Sequence, residues 1–192
     1  MKKILAILAM ATISSGVFAA SATIEYENIN GVGSTPTDQR NVNLTVRENI
    51  NANFVGDVQL SNTANVGSGG NKDAASSFRA ETGLTGLYDL GPAKLYTRVA
   101  IGEKYSTTTN FAYYSVEPGV IVPFGSTGLS AKVGYRFRTA ISDANTYNDT
   151  TDTTRIGLAY DITKKDQVAV RFDRVRGDSQ QNAWNFNYTR GF

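Results

Sequence analysis

The chain has 192 residues, 41% of them hydrophobic and 19% charged, with 18 Gly, 10 Tyr, 9 Phe, no Cys, no His and a formal charge of +2. One domain's worth of chain with this aromatic content is expected to fold rather than stay disordered. Without Cys or His there is no disulfide scaffold, no Cys/His zinc site and no Ser-His-Asp or Cys-His mechanism, and the near-balanced charge offers nucleic acid no basic surface and points to no cofactor.

The first segment reads as an address. Lys2 and Lys3 precede an apolar run over 4–12, and Val17-Phe18-Ala19 supplies small residues where a signal peptidase cuts. The run is shorter than the ~18–20 residues of a spanning helix, so residues 1–19 are expected to be removed, with Ala20-Ser21-Ala22 as a second cleavage site. Loss of Lys2 and Lys3 lowers the basic count from 19 to 17, equal to the 17 acidic residues.

Beyond that segment the chain alternates with period two. The pattern predicts ten strands, at 22–29, 41–50, 53–61, 77–88, 94–103, 111–122, 129–141, 153–162, 167–176 and 182–192. In 129–141, Leu129, Ala131, Val133, Tyr135 and Phe137 face one way and Ser130, Lys132, Gly134, Arg136 and Arg138 the other. Connections alternate between long polar segments and short turns, the pattern of an up-and-down transmembrane β-barrel. Strands of ~9–11 residues span a bilayer when tilted.

A soluble sandwich would share the alternation. Two features favour a barrel turned inside out: bulky ions recur on the polar face, and Phe54, Tyr88, Phe124, Tyr160 and Phe192 mark the short-turn ends of the apolar face as a girdle would. The expected fold is therefore all-β, an antiparallel barrel of about ten strands, with eight or twelve as alternatives. Lipid contact is expected at Leu44, Val46, Val58, Leu60, Leu84, Val99, Val133, Phe137, Leu158 and Val170. Pro118 lacks the N–H that a closed ladder needs, which predicts a bulge or irregularity there.

The chain ends in an alternating aromatic strand, Trp184, Phe186 and Tyr188 closing on Phe192, with Arg190 where a hydrophobic residue is usual. This end resembles the assembly signal of Gram-negative outer-membrane barrels. The resemblance implies a bacterial outer-membrane location, recognition of the last strand by the barrel-assembly machinery, and contact with outer-membrane lipids and lipopolysaccharide. Pro118-Gly119 together with Gly134-Tyr135-Arg136-Phe137-Arg138 is similar to the small monomeric oligogalacturonate-type porins. That similarity implies a pore lined by the paired arginines, in a family usually built with twelve strands.

Projected inward, the alternation gives the lumen Arg47, Arg79, Arg98, Lys132, Arg136, Arg138, Arg155 and Arg171. Facing them are Glu25, Glu27, Asp57, Glu81 and Glu117, with Asp161 and Asp173. Two readings stand side by side: mutual neutralisation across the barrel, or an Arg-rich wall guiding small hydrophilic, anionic solutes through a passive channel. Arginines between 132 and 171 and acids earlier in the chain could form one basic and one acidic wall. Ten strands close at a backbone radius of roughly 10 Å, which long side chains can largely fill. Gly83, Gly102, Gly134 and Gly157 could leave space, though strand bending is the expected role of each.

Catalysis is not expected, since the Glu25/Glu27 pair on one strand face more simply meets lumen arginines. A third class, a non-conducting structural or adhesive barrel, rests on the polar loops at 62–76 and 142–152. Asp143, Asp149 and Asp152 match no metal-binding loop, and the glycine runs at 31–33 and 67–70 precede no helix and are not phosphate cradles.

Overall fold

A computed structural model describes residues 20–32, 38–66, 76–106, 110–141 and 150–192. The expected signal segment and most of the long connections lie outside the described residues. Ten strands follow one another: β1 Ala20–Gly31, β2 Gln39–Asn49, β3 Phe54–Asn65, β4 Ser77–Asp89, β5 Lys94–Ser106, β6 Asn110–Pro123, β7 Leu129–Ala140, β8 Thr151–Asp161, β9 Asp166–Gly177 and β10 Gln181–Gly191. Each pairs antiparallel with its sequence neighbours, and β1 pairs with β10 to close the barrel. No helix occurs among the described residues.

The short turns are built by their own side chains. Asn51 Oδ1 accepts hydrogen bonds from the Asn53 and Phe54 amides at 2.9 and 3.0 Å. Asp89 Oδ1 accepts from the Gly91 amide at 2.7 Å, and Gly91 carries the positive φ of 86° that this turn requires. At the other rim several strands run past their predicted ends: β3 reaches Asn65 and β5 reaches Ser106. There the sequence turns polar on both faces, so alternation fades while the ladder continues.

The facing is the inverse of a water-soluble fold. Val133, Leu158 and Leu44 are 44%, 48% and 43% exposed, whereas Glu117 and Asp173 are each 2% exposed. An apolar band with charged groups inside fits lipid on the outer surface. Aromatic pairs mark the long-loop end of this band: Phe78 with Tyr105, Tyr114 with Phe137, and Phe172 with Trp184, at ring separations of 6.3, 6.4 and 5.1 Å.

Pro118 produces a gap rather than a bulge. Val116 pairs with Phe137 and Gly119 with Gly134 in one unbroken register, while Glu117 and Pro118 have no partner on β7. Pairing of Pro118 with Thr97 on β5 is intact. The missing N–H interrupts one edge of the strand without inserting a residue.

Candidate functional site

The lumen is the candidate site. It contains a cavity of about 420 Å³, lined from Val55, Gln167 and Thr189 near the short-turn rim to Glu27, Arg79 and Tyr113. Its charged walls are organised by arginines that reach across an intervening strand.

Arg98 on β5 passes over β4 to Asp57 on β3, with Nη2 2.5 Å from Oδ1 and Nε 2.9 Å from Oδ2, and its Nη1 lies 2.5 Å from Glu81 Oε1. A Cβ at Gly83 would stand 2.6 Å from Arg98 Nη2. Glycine here lets the guanidinium lie flat along the wall.

A longer network occupies the other side. Arg155 on β8 donates to Glu117 on β6, across β7, and its Nε is 3.5 Å from Asp173 Oδ2. Arg171 forks onto Asp173 through Nε and Nη2 at 2.7 and 3.0 Å, while its Nη1 lies 3.0 Å from Glu25 Oε2 on β1. Glu25 also accepts from Asn43 at 2.7 Å and Asn187 at 3.2 Å, and Glu27 accepts from Asn41 at 2.8 Å. Neither carboxylate stands free as the acid–base pair considered above. The Tyr96 hydroxyl donates to Glu117 at 2.9 Å, and Lys132 Nζ sits 3.9 Å from the same carboxylate and 4.2 Å from the centre of the Tyr96 ring.

Tyr96 lies against Gly119 and Gly134, where an added Cβ would run into its ring and hydroxyl. Tyr113 lies likewise over Gly102. None of Gly83, Gly102 and Gly134 has a positive φ. Each makes room for one long side chain: Gly83 for Arg98 and Gly102 for Tyr113 on the adjacent strand, and Gly134 for Tyr96 two strands away, across β6.

The remaining cations are less well served. Arg79 Nη2 donates to Ser61 at 3.3 Å, and Arg47 Nη1 to Thr23 at 2.8 Å. Arg136 and Arg138 are in no ion pair among the described residues, and the Nε of each is buried without a hydrogen-bond partner. Arg138 stacks 5.3 Å above the Tyr113 ring. Asp161 does not oppose these cations. As the last residue of β8 it is exposed at the short-turn rim, where it accepts from Gln167 at 2.7 Å. Nor do the ions form one basic and one acidic wall, because Glu117 and Asp173 stand among the arginines of β8 and β9. A basic stripe without acid is confined to β7, with Lys132, Arg136 and Arg138.

The lumen is graded along its axis. Towards the long loops Asn41, Asn185 and Thr153 are completely buried and Tyr113 and Thr151 are 1% exposed. Towards the short turns Arg47 and Lys132 are exposed. Sequence reasoning passed over Tyr96, Tyr113 and the asparagines. Their parity is that of Arg98 and Glu117, so the same alternation carried the signal.

On the outer face, Trp184, Phe186, Tyr188 and Phe192 are 48%, 55%, 40% and 70% exposed. Arg190 is held at the short-turn rim by Asp166 at 2.9 Å, which also accepts from the Tyr188 hydroxyl at 2.6 Å.

A closed, up-and-down barrel with an apolar exterior and an ionic lumen has the fold of the porin-like outer-membrane β-barrels. No protein-family model and no curated protein matches the sequence. Among solved structures, an outer-membrane channel from Pseudomonas putida F1 superposes with a TM-score of 0.56 at 12% identity, over 93% of this chain and 97% of that one. The NanC porin superposes at 0.49 with 9% identity, over 90% and 99% of the two chains. The KdgM porin, solved in complex with disordered oligogalacturonate, superposes at 0.46 with 12% identity, over 88% and 99%. At these identities the likeness is one of fold.

Proposed function

We propose that this barrel is a porin-like passive channel of an outer membrane, admitting small hydrophilic solutes with a preference for anions. The observation that carries the reading is the pair Arg136 and Arg138, which are in no ion pair among the described residues and whose Nε atoms are buried in the lumen wall without a hydrogen-bond partner. With Asp161 at the rim, nine inward cations face six inward anions among the described residues, Lys104 beside Arg79 and Phe111 included. A positive excess in a confined, partly dehydrated space attracts anions and repels cations.

The test is conductance of the refolded chain in planar bilayers. Stepwise currents that prefer chloride over potassium are expected, and Arg136→Ser with Arg138→Ser should lower that preference about twofold or more. Cation-preferring currents would overturn the anion preference.

A second reading, a non-conducting structural or adhesive barrel, is favoured by the packed long-loop half of the lumen, where Asn41, Asn185 and Thr153 have no exposure. Absence of current at all voltages would support it against the channel.

A further inference from the structure

On the outer surface, Arg174 and Arg176 stand two residues apart on the same face of β9, both exposed. Neither guanidinium has a hydrogen bond or an ion pair among the described residues. Asp152, the register partner of Arg176, forms no ion pair with it. Asp178, which follows β9, is already engaged by the Thr150 amide at 2.9 Å. The two arginines edge a groove of about 190 Å³ whose other walls include Val32, Gln180 and Asn182. One side of that groove is fixed by the hydrogen bond from the Val32 amide to the Gln180 carbonyl at 3.0 Å.

Depth along the barrel gives the groove its meaning. Immediately towards mid-strand lie Phe172 and Trp184, paired on the outer face with ring centres 5.1 Å apart. Aromatic residues of this kind mark the level where acyl chains meet headgroups. Arg174 and Arg176 lie just beyond it, at the long-loop end, so their charges are level with headgroup phosphates rather than acyl chains. Arginine presents a planar fork that fits phosphate oxygens bidentately. Side chains two residues apart on a strand are separated by ~7 Å, enough for one extended polyphosphorylated headgroup to meet both.

We propose that this groove binds a phosphate-bearing lipid headgroup of the leaflet on the long-loop side, with Arg174 and Arg176 holding phosphate and the amides of Gln180 and Asn182 meeting headgroup hydroxyls. The site faces away from the lumen, so it depends on the barrel standing in a membrane and not on an open channel.

Trp184, the single tryptophan of the chain, reports on the neighbouring surface. The chain folded in neutral detergent is titrated with bisphosphorylated lipid A, its dephosphorylated counterpart, or inorganic phosphate, reading Trp184 emission and, in parallel, bound lipid by native mass spectrometry. Lipid A should give saturable binding, with half-saturation moved about tenfold or more to higher concentration in R174Q/R176Q, and about twofold or less in R40Q, which removes an exposed charge from the outer face of β2. Equal titration of the double variant and the parent would overturn the proposal. So would equal binding of the dephosphorylated lipid. A response to inorganic phosphate alone that matches lipid A would assign the groove to free anions and overturn the lipid source.

Discussion

Three partners share one acid of the lumen: Arg155, Lys132 and Tyr96 all converge on Glu117, which is 2% exposed. Removing its charge leaves two cations facing a neutral amide in a site that water reaches poorly. Glu117→Gln should therefore lower the stability of the membrane-embedded barrel by about 1–3 kcal/mol, measured by urea unfolding in lipid vesicles. Facing decides the outcome for two neighbours on β7. Val133→Arg puts an ion into the apolar band and should cost about 2–4 kcal/mol near mid-bilayer. Lys132→Ser loses a 3.9 Å contact with Glu117 and the position over the Tyr96 ring, but from a side chain that is 46% exposed, and should be tolerated. Equal effects at the two positions would contradict the facing of β7.

At the scale of the strand, the pairing of a glycine with a long side chain that reaches it across an intervening strand makes a sharper prediction. Gly134→Ala places a methyl group against the Tyr96 hydroxyl and should destabilise by about 1–3 kcal/mol through overpacking. Adding Tyr96→Ala should recover part of that loss, a coupling measurable in a double-mutant cycle. Additive losses would mean that the two residues do not share the space.

The strands were legible because the alternation of Leu129 to Phe137 against Ser130 to Arg138 sets both element and facing, whatever the partners. The partners were not legible. Arg98 to Asp57 and Arg155 to Glu117 each skip a strand, so they depend on stagger and on glycine in the strand between, which no local pattern encodes. Asp161 shows the limit of parity: it has the inward phase, but the strand ends there and the side chain meets water and Gln167. Pro118 was legible as a disturbance, while its form depended on both neighbouring strands keeping register.

For the whole molecule, the axial grading separates two ways in which the lumen can be tested. If solutes pass, their narrowest passage is the long-loop half, where Tyr113 and Asn185 are packed. Tyr113→Ala should then raise single-channel conductance, whereas the same change at Tyr96, beside the wider half, should alter it less. No rise at Tyr113 would place the resistance elsewhere.

The break opposite Pro118 also bears on how the cylinder would come apart under load. The first and last strands of the barrel are zipped together from Ser21 with Gly191 to Gly31 with Gln181, without interruption. Between β6 and β7, by contrast, two rungs are missing beside Tyr135 and Arg136. A tear would start at this internal seam and not at the closure between β1 and β10. Amide deuterium uptake at Tyr135 and Arg136 should accordingly outpace that at Tyr26 and Phe186, and matching rates would show both seams to be equally strong.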